Sequence, residues 1–134
     1  MKIIIYLYNG ITMLDAIGPY EVLRNMKNAE VLFVGEKKGE IKADSGFIEI
    51  NAKYSIDDIK EADILIVPGS TIGFMKEMKN ENVLSWIKEV DETTKWTTSV
   101  CTGSIILASA GLLNGLNATS HWKAINLLGD FNAL

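Results

Sequence analysis

One cysteine, one histidine and two prolines are all that 134 residues contain of those types. A single cysteine excludes an internal disulfide, and one histidine beside it leaves too few ligands for a zinc site made of protein side chains. Glycine-rich phosphate cradles are missing too. No dinucleotide fingerprint follows the first apolar run and no Walker-type loop occurs, so no cofactor is expected. Basic charge is in short supply: thirteen Lys and Arg face seventeen Asp and Glu, for a net charge of −4. The lysines are scattered among acidic neighbours, which reads as a solvated surface and speaks against a nucleic-acid partner. The apolar start, residues 1–5, is too short for a signal peptide or a membrane span, so no membrane partner and a cytoplasmic location are expected. Repeats, linkers and low-complexity stretches are absent.

What is present is an ordinary globular composition, 48% hydrophobic and 22% charged, in a length that suits a single domain over residues 1–134. Residues 3–8, rich in β-branched and aromatic side chains, read as a buried strand. Asn9-Gly10 breaks it, and a helical stretch follows to Leu23. Thr12 and Asp15 have the spacing of a capping box in its acidic variant, and Pro19 either restarts or kinks the helix. A second strand spans residues 29–34. The polar region 36–51, with Asp44-Ser45-Gly46 as a turn, reads as a hairpin or small accessory strands. Ser55 or Asp57 could open a short helix to Ala62. Residues 63–67 form another buried strand, ending in Pro68-Gly69-Ser70. Helical spacing returns at 74–78 and 83–90. A strand to Val100 leads into a helix through Ile105-Ile106-Leu107, an apolar stripe expected in the core. Residues 116–119 read as a short strand, Ser120 as an N-cap, and residues 122–128 as a final helix. Strands alternating with helices predict an α/β fold with a parallel sheet.

Cys101 stands where the strand ending at Val100 turns into a helix. A nucleophile elbow has this form, and a helix N-terminus favours thiolate over thiol. The plainer reading is a small buried hydrophobe. Asp15 follows the carboxyl end of the first strand and Gly69-Ser70 that of the strand ending at Val67. In an open parallel sheet, ligands bind at that edge, so topology brings the three segments together. Backbone N–H groups at Gly69, Ser70 and Thr102 could hold developing negative charge, and Asp15 could move protons if a closed pocket raises its pKa. As plain structure, Asp15 is a helix cap and Gly69-Ser70 a turn. His121 suggests a Cys-His dyad, but its place at the start of a helix favours a capping or core hydrogen-bonding role. Trp86 and Trp122 read as core or interface aromatics.

The motifs Leu14-Asp15-Ala16-Ile17-Gly18-Pro19-Tyr20-Glu21-Val22-Leu23, Ile66-Val67-Pro68-Gly69, Ser99-Val100-Cys101-Thr102-Gly103-Ser104, Ala110-Gly111-Leu112-Leu113-Asn114-Gly115 and Ala118-Thr119-Ser120-His121-Trp122 together resemble the DJ-1/PfpI (ThiJ/PfpI) superfamily across the whole chain. Within it the pattern is most similar to isonitrile hydratases and to the sensor domains of AraC-type regulators. The resemblance implies a flavodoxin-like three-layer sandwich with a mostly parallel central sheet, a homodimer, a small-molecule substrate, Cys101 as nucleophile and Asp15 as its acidic partner.

Departures qualify what carries over. Protease-like members have His after the cysteine where this chain has Thr102, which disfavours a Cys-His protease. The usual Pro-Gly-Gly is Pro68-Gly69-Ser70 here. Family members continue past the His-Trp segment with further strands and a helix, so the expectation is a domain incomplete at its C-terminus, a fragment or a chain completed by a partner. The function that follows is a cysteine-dependent lyase adding water to an isonitrile to give an N-substituted formamide. The alternatives are the ligand-sensing domain of a transcription regulator and a redox or stress protein in which Cys101 is oxidised. A glyoxalase or deglycase activity rests on family analogy alone.

Overall fold

The structure is a computed structural model and describes residues 1–133. Its centre is β1 (Lys2–Leu7), whose residues Ile3, Ile4, Ile5, Tyr6 and Leu7 are all fully buried. Consecutive residues on a strand point to opposite faces, so a run buried at every position requires cover on both sides. Each such side chain contributes about 1.5–3 kcal/mol of burial, which makes this strand the axis of the core.

On one side β1 pairs in parallel with β2 (Glu30–Gly35), and on the other with β6 (Ile64–Val67). The five-stranded sheet has the order β5-β2-β1-β6-β7, with β5 (Tyr54–Ser55) and β7 (Trp96–Ser99) at its edges, and every pairing in it is parallel. Helix α1 (Met13–Leu23) joins β1 to β2, while α2 (Phe74–Glu77) and α3 (Glu81–Asp91) lie between β6 and β7, and α4 (Gly103–Ser109) follows β7. The mostly parallel α/β architecture expected from alternating patterns is the one found. The hairpin reading of the polar region also holds: β3 (Gly39–Lys42) and β4 (Glu49–Ala52) form a separate antiparallel pair.

Helix α3 shows why the apolar spacing was readable. Val83, Leu84, Trp86, Ile87 and Val90 are buried, and the Asn80 side chain caps the helix by accepting from the Val83 N–H. The stripe Ile105-Ile106-Leu107 is buried as expected. Trp86 is core, its indole N–H donating to the Ile59 carbonyl at 2.7 Å.

Five local expectations are corrected. Of the two readings of Pro19, a restart or a kink, the restart is ruled out: one helix runs from Met13 to Leu23 with Pro19 inside, so the Asp15 carbonyl lacks a helical donor. The helix expected to run to Ala62 is a turn. Ser55 and Asp58 make local capping bonds, but the Ile59 carbonyl is already taken by Trp86 and the chain straightens into β6. Residues 116–119 are not a strand. The final helix is shifted and of another kind, a 3₁₀ helix at Ile125–Phe131 that buries Leu128. Trp122 is 73% exposed and therefore no core residue.

Candidate active site

At the carboxyl edge of the sheet, β7 delivers the chain to Cys101, and α4 begins two residues later. Cys101 has φ of +56° in a residue that carries a side chain. Left-handed backbone at a non-glycine residue stores strain, and structures keep it where a side chain must be presented in one direction. The elbow expected from sequence is thus present in its backbone dihedral.

Glycines let the elbow sit against the loop after β6. A Cβ on Gly69 would lie 2.7 Å from the Thr102 nitrogen and 2.9 Å from the Cys101 Cβ, and one on Gly103 would overlap the Val67 carbonyl. Only the absence of side chains at both positions permits that approach.

Asp15 reaches the same point from the first turn of α1. It is not used as a capping residue, and Thr12 makes no side-chain cap either. Instead, Asp15 Oδ2 accepts the Gly69 N–H at 3.2 Å, and the carboxyl lines the same cavity as Cys101, near enough for the thiol to influence its titration. Burial raises the Asp15 pKa above the ordinary carboxylate value. Asp44 adds to the rise, while the Gly69 N–H, Cys101 and His121 oppose it. Partial burial favours the neutral acid, which has a proton to give.

The backbone donors are distributed differently from the sequence expectation. The Ser70 N–H is spent on Thr102 Oγ1 at 2.9 Å, and that hydroxyl donates back to the Ser70 carbonyl at 2.9 Å. The Gly69 N–H is engaged by Asp15. Neither is a spare oxyanion donor in this arrangement. The N–H groups of Cys101 and Thr102, in contrast, donate to no other protein group among the described residues. Ser70 Oγ accepts the Phe74 N–H and so fixes the start of α2.

These residues open into a cavity of about 710 Å³, lined among others by Asp15, Ser70, Cys101 and Thr102, by apolar Phe74, Met75 and Leu127, and by His121 and Lys123. His121 therefore lies in the site rather than in the core. Its Nδ1 accepts the Lys123 N–H at 3.2 Å and its ring stacks on Trp122, a local turn contact, and no Cys101–His121 hydrogen bond is present. Ser120 does not cap a helix; its hydroxyl donates to the Cys101 carbonyl at 3.0 Å and ties this segment to the elbow. The sequence reading missed Tyr8, Asp44 and Lys123. Asp44 was visible only as a turn residue, and Tyr8 only as the end of a strand. Tyr8 is buried, its hydroxyl donates to the Pro68 carbonyl at 2.8 Å, and burial pushes its pKa far above the usual tyrosine value. No helix among the described residues is long and apolar enough to cross a membrane.

Known proteins agree with this architecture. The chain is 32% identical over 128 residues to the isonitrile hydratase of Pseudomonas putida, covering 96% of this chain and 55% of the relative. It is 32% identical over 89 residues to the HTH-type transcriptional regulator CdhR of Pseudomonas aeruginosa, covering 66% of this chain and 25% of the regulator. A crystal structure of a ThiJ/PfpI family protein from Pseudomonas syringae superposes with a TM-score of 0.95 at 30% identity, over 99% of this chain and 55% of that one. The chain thus spans about half, or less, of the length of these proteins. The DJ-1/PfpI family matches residues 1–132, and the chain belongs to it.

Proposed function

We propose that this domain carries the cysteine chemistry of an isonitrile hydratase, converting R–N≡C and water into the N-substituted formamide R–NH–CHO. The observation that carries the reading is the Asp15 carboxyl, with its raised pKa, beside the strained Cys101 in one cavity. Similarity to the isonitrile hydratase over 96% of the chain supports this reaction among those open to a thiol and an acid.

The electron count is simple. The terminal isonitrile carbon is divalent, so the Cys101 sulfur forms a C–S bond to it while that carbon takes a proton, giving the thioimidate Cys–S–CH=N–R. Asp15, whose carboxyl burial shifts toward the protonated form, delivers this proton, and the thiol proton restores it. Water then adds to the same carbon while nitrogen is protonated. The resulting S–CH(OH)–NH–R expels the Cys101 sulfur, which recovers its proton as the formamide leaves. Asp15 orients the water and accepts its proton in this second half. The unengaged N–H groups of Cys101 and Thr102 face charge that develops next to the sulfur.

The test is formamide production from a simple alkyl isonitrile by the protein and by the Cys101→Ala and Asp15→Asn variants. Equal turnover by Cys101→Ala and the parent would sink the reading. A second reading is favoured by the 32% identity to a transcription regulator: the same cavity binds a ligand without turning it over. Saturable binding of an isonitrile with no formamide produced would select that alternative.

A further inference from the structure

The hairpin contributes one residue to the cavity that the chemistry above leaves without a task. Asp44 lies in the turn between β3 and β4, and a single oxygen of it, Oδ2, accepts two hydroxyl groups. Thr12 Oγ1 donates to it at 2.8 Å and Thr71 Oγ1 at 3.0 Å. Thr12 immediately precedes α1, Thr71 immediately follows Ser70, and all three residues line the cavity.

A turn aspartate ordinarily bonds its own backbone two residues on. A threonine at an N-cap ordinarily turns its hydroxyl to the first free helical N–H. Here both residues forgo the local bond, since Thr12 makes no side-chain cap and Asp44 gathers partners 32 and 27 residues away in the chain. The backbone around this junction is already paired. The Asp44 N–H donates to the Ile11 carbonyl at 2.8 Å, the Thr12 N–H to the Gly69 carbonyl at 2.9 Å, and the Asp15 N–H to the Thr12 carbonyl at 3.0 Å. These bonds set the approach of the three segments, and the hydroxyl clamp fixes how the segments are turned where they meet the cavity.

We propose that Asp44 is a positioning residue for Asp15: by clamping Thr12 and Thr71 it holds the start of α1 in register with the loop that carries Gly69. The register matters because Asp15 Oδ2 must meet the Gly69 N–H while the carboxyl faces the cavity that Cys101 also lines. The inference rests on the reading of Asp15 and Cys101 as a working pair. The charged and titratable groups around Asp15 are Asp44 from the hairpin, Tyr8 from the end of β1, Cys101 from the elbow, and His121 and, across the cavity, Lys123 from the segment before the 3₁₀ helix. Of these, Asp44 alone both touches the α1 start through Thr12 and carries a charge of the same sign.

The experiment needs no substrate. Cys101 is the only cysteine, so its alkylation by iodoacetamide can be followed by intact mass across the acid range in the whole chain. The parent is expected to show an inflection from Asp15, absent in an Asp15→Asn control. Asp44→Asn keeps an acceptor oxygen for both hydroxyls and loses the charge, so its inflection persists at lower pH. Asp44→Ala loses the clamp, so the inflection disappears and the alkylation rate changes by about threefold or more. The double variant Thr12→Val with Thr71→Val reaches the same state by another route and guards against misfolding of Asp44→Ala. A parent without an Asp15 inflection overturns the proposal. So does an Asp44→Ala profile matching that of the parent or of Asp44→Asn. Failure to hydrate any isonitrile, by contrast, would count against the hydratase reading and leave the alkylation result standing.

Discussion

Burial raises the pKa of Asp15 and of Glu77 alike, and each carboxyl accepts a hydrogen bond from an uncharged donor: the Gly69 N–H at 3.2 Å and the Tyr6 O–H at 2.8 Å. Their surroundings then diverge. Glu77 is 8% exposed, its partner Tyr6 is fully buried within the core, and Tyr6 packs against Tyr8 and Trp86 with ring centroids 5.7 and 5.6 Å apart. Asp15 is half-buried and borders a cavity that the Cys101 thiol also lines. A perturbed acid marks a site only where space and a reacting partner accompany it. Glu77 does line a separate cavity of about 300 Å³, but Cys101 does not border it, so this acid has space without that partner.

Exchanging each acid for its amide separates the two roles most widely. Asp15→Asn should lower formamide turnover by about 10²–10⁴-fold, the range that a general acid supplies. Glu77→Gln should leave turnover where it was, because Glu77 does not border the cavity that holds Cys101. Steady-state rates of the two purified variants decide the matter, and equal losses would erase the distinction.

Next in size comes the contact that delivers Asp15 its donor. In Gly69→Ala the new Cβ would crowd the Thr102 nitrogen at 2.7 Å, its Oγ1 at 2.8 Å and the Cys101 Cβ at 2.9 Å. Misplacing reacting groups by about 1 Å costs about 10²-fold. The prediction is a loss of that order in turnover with a cooperative thermal transition retained. A variant with full activity would show that the Gly69 loop is not what aligns the pair.

The same contrast explains how much could be read before the structure. Strands β1 and β6 were legible because continuous apolar runs leave few alternatives, and the elbow was legible because Cys101 stands between a strand run and a helix run. Asp15 followed from topology, since strand ends in a parallel sheet share one edge. Residues 116–119 misled because β-propensity needs a neighbouring strand to pair with, and the described residues give this segment none. Ile125, Leu128 and Phe131 are three apart, the spacing that aligns in a 3₁₀ helix, where an α-helical pattern was expected instead. The Ser70 N–H was assigned to an anion because the hydroxyl that claims it, Thr102 Oγ1, lies 32 residues away. Asp44 was opaque for the same reason: its partners are distant in sequence, and nothing local marks a turn aspartate as a clamp.

Stability, rather than turnover, registers the Glu77 side. Tyr6→Phe removes the only hydrogen bond that the buried Glu77 carboxyl accepts among the described residues and leaves it without a donor. A loss of about 1–3 kcal/mol is expected from an orphaned buried acceptor, read by urea denaturation. An unchanged midpoint would mean that the carboxyl is protonated or has found water.

The smallest effect is a matter of sign. Glu77 has an ordinary value of 4.5, and the folded state raises it, first through burial and then through repulsion by Glu36, while the Tyr6 hydrogen bond opposes the rise. A raised carboxyl binds its proton more tightly when folded than when unfolded. Its favourable contribution is therefore complete below the unfolded value and is lost as pH rises through the folded one. Where pH ionises it, the buried Glu77 is a net burden, which Glu77→Gln removes while keeping an acceptor for Tyr6. The variant should gain about 1 kcal/mol at neutral pH, a rise of about 3–5 °C in the thermal midpoint. Below the unfolded value the advantage should vanish, because Glu77 is then neutral in both states. Asp15→Asn should follow the same direction with a smaller gain, since a half-exposed carboxyl suffers less from desolvation and Gly69 compensates part of it. Thermal melts of the two variants at acid and neutral pH measure the difference, and a larger gain for Asp15→Asn than for Glu77→Gln would reverse the ranking of the two environments.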